Sequence, residues 1–118
     1  MSQGDFPRLY ECIPAAGWPP PPPELIAAEG LLRDAAAIYQ TGEFVQAARA
    51  FLAAAAVLRS VPAGSFAHSA TSNRAIAYRN SALAWKAAGQ PADGRRSLVD
   101  IDDPGCGELL VELCAGLE

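Results

Sequence analysis

Apolar residues recur at spacings of three and four over most of the chain, the signature of helices with one buried face. Leu31, Ala35, Ile38 and Tyr39 mark the first such face, and Phe44, Ala47, Ala48, Phe51, Ala54, Ala55 and Leu58 mark the second. A third pattern runs through Ala75, Ile76, Tyr78, Ala82, Leu83, Trp85 and Ala88. A shorter one carries Leu98, Val99 and Ile101, and the last places Leu109, Leu110, Leu113 and Leu117 toward the body with Glu108 and Glu112 toward solvent. No stretch alternates Val, Ile or Thr with polar residues, so no strand is expected.

Punctuation residues divide these patterns into about five helices, over residues 24–41, 43–60, 72–89, 91–102 and 106–117. Pro22 or Pro23 suits the first turn of the opening helix, with Glu24 at the positive end of its dipole. Gly42 and Gly89 end the first and third helices, and Pro91 restarts the chain after the second of these. The stretch from Val61 to Ser72, rich in Pro, Gly, Ser and Thr, reads as a loop, with Ser72 or Asn73 placed to cap the following helix. Pro104, Gly105 and Gly107 break the chain before the last helix. Residues 1–23 read as an extended arm, because Pro7, Pro14 and the run from Pro19 to Pro23 favour polyproline II. Trp18, Pro20 and Pro21 are its candidate contact residues, made either to a proline-recognition domain or to the helical domain itself.

Composition sharpens this picture. Alanine fills 25 of the 118 positions, which favours helix and lets helices approach closely. The net charge is −4, so nucleic acid is not a favoured partner. Charge is unevenly spread: Arg74, Arg79, Lys86, Arg95 and Arg96 stand against Asp93 alone in residues 70–96, whereas residues 97–118 hold six acids and no base. This arrangement fits either neutralisation within the fold or a basic groove for an acidic partner. Cys12, Cys106 and Cys114 have neither the number nor the spacing of a disulfide framework or a zinc site. With no signal-peptide pattern after Met1 and no apolar run beyond Phe51–Leu58, no membrane segment is expected, and the cytoplasm is the default location.

Two segments look alike. Ala36 to Phe51 and Ala82 to Leu98 each place an aromatic shortly before a glycine, then a turn, then a second helix. This helix–turn–helix unit resembles the tetratricopeptide repeat. In the first unit Gly42, Phe44, Ala47, Phe51 and Ala54 stand at the positions of the motif; the second matches through Tyr78, Ala82, Trp85 and Gly89, with Gly94 where a crossing alanine is expected and Pro91 in place of the turn aromatic. The resemblance covers about Leu25 to Asp103 and implies an all-α array of antiparallel hairpins with a concave groove lined by first helices. The groove positions it implies are Glu29, Leu32, Ala36, Tyr39 and Gln40 in one unit and Ile76, Arg79, Asn80, Leu83 and Lys86 in the other. Such a groove implies an adaptor, chaperone or assembly factor that binds another protein's peptide or helix, one with acidic residues in view of Arg79 and Lys86. The family's carboxylate clamp is not expected, because Leu32 and Ala36 stand where Lys and Asn are needed.

A helical bundle that pairs with itself, and a three-helix domain resembling the microtubule-interacting and trafficking family, are the alternatives. Enzymatic chemistry finds little support: His68 is the sole histidine, the Gly105-Cys106-Gly107 run lacks a preceding strand, and the acids Asp100, Asp102 and Asp103 lack the rest of a calcium loop. Neither a metal nor any other cofactor is expected.

Overall fold

A computed structural model describes residues 20–117. The order is α1 (Pro23–Gln40), α2 (Phe44–Leu58), α3 (Ala67–Ala87), α4 (Pro91–Val99), a 3-10 turn at Pro104–Cys106, and α5 (Gly107–Gly116). The described chain is thus all-helical with five α-helices, as the hydrophobic pattern predicts. None of these helices is long and apolar enough to cross a membrane.

The first hairpin forms where the apolar stripe and the turn chemistry agree. Pro22 and Pro23 open α1, where the missing proline N–H costs nothing. Leu25, Ala28, Leu32, Ala35, Ala36 and Tyr39 form its buried stripe. The chain reverses at Gly42, whose φ of 86° is a left-handed conformation that glycine adopts without strain. Tyr39 and Phe44 clamp the two sides of this turn edge to face, with ring centroids 5.1 Å apart.

Helix α2 is the centre of the fold and packs along both α1 and α3. Its buried side chains are Ala47, Ala48, Phe51, Ala54, Ala55 and Leu58, and the four alanines allow neighbouring backbones to come close. On the α3 side Ser81, fully buried, donates to the Ala48 carbonyl at 3.0 Å and so ties the two helices at their crossing.

Helix α3 begins five residues earlier than the sequence predicts. Ser72 and Asn73, expected to cap the helix, lie inside it; Thr71 and Asn73 return hydrogen bonds to the preceding turn, Thr71 to the Ala67 carbonyl and Asn73 to that of Ser69. His68, expected in a loop, lies exposed in the first turn of α3. The connecting loop is correspondingly short, and Phe66 is buried at its end.

Helix α3 buries two adjacent faces. Ser81 belongs to the face on α2, whereas Trp85 faces α4. There Gly94 lies so close that a Cβ on it would sit 2.7 Å from the Trp85 Cβ. The departure of residue 94 from the repeat pattern thus has a steric cause. Helix α5 then packs on α4 and more lightly on α3, burying Leu110 and Leu117.

Candidate functional site

The sequence-predicted groove residues divide by burial. Leu32, Ala36, Tyr39 and Asn80 are buried, and Leu32 has no exposed surface at all. Glu29, Ile76 and Leu83 are half-buried, with Glu29 paired to Arg33 one turn away. Gln40, Arg79 and Lys86 are exposed. The two halves of the set lie on α1 and α3, which touch each other at few points and are joined mainly through α2. Pro20 and Pro21 are exposed, while Trp18 and the rest of the proline-rich arm before Pro20 lie outside the described residues.

The basic and acidic segments meet at one buried cluster. Asp103, nearly inaccessible, accepts from Arg74 Nε at 2.7 Å, from Arg74 Nη2 at 3.2 Å and from the Tyr78 hydroxyl at 2.8 Å. Arg59, beyond the end of α2, donates to the same Tyr78 oxygen at 2.8 Å. Burial alone would raise the Asp103 pKa, but the hydrogen bonds from Arg74 and Tyr78 and the charge of Arg74 more than offset it and hold the carboxyl below its ordinary value. Burial, reinforced by the bond to Asp103, pushes the Tyr78 phenol up to about 12. Burial works against the charge on Arg74, yet its hydrogen bond to Asp103 leaves its pKa raised.

The cluster ties the chain just after α2 and the segment after α4 to the middle of α3, and the hydrogen-bonding capacity of its carboxylate is largely spent within the fold. Cys106 lies beside it, buried, with its thiol directed to the Thr71 carbonyl at 3.8 Å. Burial, with the charge of Asp103, raises its pKa, so it is held as a thiol and not as the reactive thiolate. Among the described residues no group of three or more His, Cys, Asp or Glu is placed to hold a metal.

An open groove of about 470 Å³ runs between α4 and α5. Leu98, Val99, Ile101, Leu110, Val111 and Cys114 form its apolar lining, and Arg95 and Asp102 stand at its edge. Val99 is 56% exposed and Val111 72% exposed, which makes them two of the three large apolar side chains most open to solvent among the described residues. Gly107 and Ala115 keep the α5 wall low, and a Cβ on Gly107 would meet nothing within 4 Å. A second depression, about 720 Å³, lies where the α1–α2 turn approaches the end of α3; it is broader and includes Glu43, Gln46 and Arg49.

No protein-family model, curated protein or solved structure matches the chain. The chemistry of the α4–α5 groove must therefore be read from its own residues. It presents branched aliphatic side chains from α4, α5 and the segment between them, with Cys114, Asp102 and Arg95 beside them.

The sequence pattern missed this groove for an identifiable reason. Val99 belongs to an apolar triplet with Leu98 and Ile101, and at the last residue of α4 it is left exposed while Leu98 is buried. Val111 falls outside the leucine stripe of α5, and its exposure follows from the helical period: it lies one residue beyond the buried Leu110.

Proposed function

We propose that the protein is a non-catalytic interaction module, of tetratricopeptide-repeat type, that binds a helix or peptide of another protein. The observation that carries this reading is the open apolar groove between α4 and α5, with Val99 and Val111 left in water at its rim. Single exposed valines are ordinary on protein surfaces. Here two come from different helices and border one groove with Ile101 and Cys114, a contiguous patch of the kind that marks an interaction site.

The repeat pattern supports the same reading. In a helical array each unit packs against its neighbours, and a terminal unit without a polar outer face leaves apolar surface open to a further helix. Helices α4 and α5 are the final pair in the described chain, so an added helix would continue the stack there. The groove implied by the repeat resemblance on α1 and α3 retains Gln40, Arg79 and Lys86 at the surface, but Leu32, Tyr39 and Asn80 already have cover.

A photo-crosslinking residue placed at Val111, at Lys86 or at the exposed Ala37 of α1 tests the reading in the cells that make the protein. A discrete adduct with another protein from position 111, absent from position 37, supports a module that uses the α4–α5 face. The same adduct from position 86 alone supports a module that uses the α1–α3 groove. Adducts only with the chain itself favour a self-associating bundle, and none from any position overturns the interaction reading.

A further inference from the structure

We infer that the α4–α5 groove receives an amphipathic helix of another protein whose apolar stripe is flanked by lysine or arginine. This rests on the interaction-module reading and names the chemistry of the partner.

The shape of the groove selects a helix. One wall is the end of α4 from Arg95 to Val99 with the segment that follows it, and the other is Gly107 to Ala115 of α5, about 12–14 Å long at 1.5 Å per residue. A partner helix of about three turns spans that length. Gly107 and Ala115 on the α5 wall leave room for a backbone to approach, and Val99 and Val111 supply ridges between which side chains spaced three and four apart can settle. The described chain offers no strand edge to which an extended peptide could add.

The charge around the groove selects the flanks of that helix. Asp100 and Asp102 are exposed beyond the end of α4, and Glu108 and Glu112 are exposed on α5, on the side of Val111 away from the buried leucines. From residue 97 to the end of the sequence there is no lysine or arginine. Asp103 does not add to this field, because Arg74 neutralises it inside the fold. Among the described residues Arg95 is the one cation lining the groove; Asp102 lines it as well, and Asp100, Glu108 and Glu112 are exposed on the segments that form its walls. A helix with basic flanks is drawn to such a rim and an acidic one is repelled, while the valines supply the apolar contact. A second copy of this chain fits less well at its own α5, where Glu108 and Glu112 would meet their like.

The test uses the full chain and two labelled synthetic helices of about fourteen residues. Both carry leucine at spacings of three and four; one has lysine beside the stripe and its twin has glutamate. Fluorescence anisotropy at low salt is expected to show the lysine helix binding at least tenfold more tightly than its twin, with the difference shrinking several-fold as salt is raised. Val111→Glu is expected to weaken the lysine helix at least tenfold, and Glu108→Lys/Glu112→Lys to reverse the preference. Helical circular dichroism checks that each variant is folded, and both sets of positions are exposed, so loss of fold is not the expected cause.

Equal binding of the two helices, no binding of either, or binding insensitive to both variants overturns the inference. So does a dimer in sedimentation that Val111→Glu dissolves, which would assign the groove to a second copy. A crosslink from position 111 to another protein, together with failure of the lysine helix, would leave the interaction module standing and remove only this partner chemistry.

Discussion

Replacing Gly94 by alanine separates local propensity from tertiary contact. In a helix, alanine is favoured over glycine by about 1 kcal/mol, and the repeat pattern also expects a small residue with a Cβ at this position. Both considerations predict a stabilising change. The packing predicts the opposite sign. The new Cβ would stand 2.7 Å from the Trp85 Cβ, 2.8 Å from its Cγ and 3.0 Å from its Cδ1, where carbon atoms normally stay about 3.5–4.0 Å apart.

Trp85 cannot swing away, because the closest atom is its own Cβ, fixed to the α3 backbone, and its side chain is buried. Helix α4 must therefore shift outward by about 1 Å, and overpacking of this kind costs about 1–3 kcal/mol. Set against the gain in propensity, a net loss of up to about 2 kcal/mol is expected. Gly30, mid-way along α1, is the control: a Cβ there meets nothing within 4 Å, so Gly30→Ala should stabilise by about 0.5–1 kcal/mol. Urea unfolding followed by helical circular dichroism reads both, with Gly94→Ala lowering the midpoint and Gly30→Ala raising it. If Gly94→Ala stabilises as much as Gly30→Ala, the α3–α4 contact is not as described.

Four further outcomes concern the buried cluster and the α2–α3 crossing. Asp103→Ala leaves Arg74, 12% exposed, and the Tyr78 hydroxyl without their acceptor, and should cost about 2–4 kcal/mol in the same unfolding assay. Because the folded Asp103 pKa lies below its unfolded value, its contribution is present above about pH 4 and is lost as pH falls through the folded value; Asp103→Asn should flatten that acid limb. Tyr78 has the reverse sign: raised from 10.0 to about 12, it contributes fully below pH 10 and loses that contribution as pH rises toward 12, so one late-titrating tyrosinate should appear in near-ultraviolet absorbance and vanish in Tyr78→Phe. Ser81→Ala removes the buried donor to the Ala48 carbonyl and should cost about 1 kcal/mol by urea midpoint.

The hydrophobic period was sufficient to reveal the longer helices, because their apolar stripes repeat over at least two turns, and proline and glycine marked the bounds of the short α4. It misplaced the start of α3, where Ser69, Thr71, Ser72 and Asn73 have the composition of a loop. The observed helix accommodates them by back-bonding and by burying Asn73, neither of which composition registers. Pairing between the basic and acidic segments was one of two readings the sequence left open, and the choice of Arg74 and Asp103 over their neighbours was not legible. It depends on the break at Pro104, which turns Asp103 inward and leaves Asp100 and Asp102 exposed. The implied groove on α1 and α3 came from resemblance, and burial could not enter that reading. The α4–α5 groove depends on how two short helices meet, information that lies in no single helix's pattern.

Methyl-resolved NMR on the valine-labelled chain reaches the central claim most directly. The sequence has five valines, and Val99 and Val111 border the α4–α5 groove while Val45, Val57 and Val61 lie elsewhere. On titration with the lysine-flanked helix, the methyl signals of Val99 and Val111 are expected to move together and saturate, with the other three nearly still. Movement centred on Val45, or saturable binding that leaves Val99 and Val111 unchanged, would contradict the assignment of this groove as the binding surface.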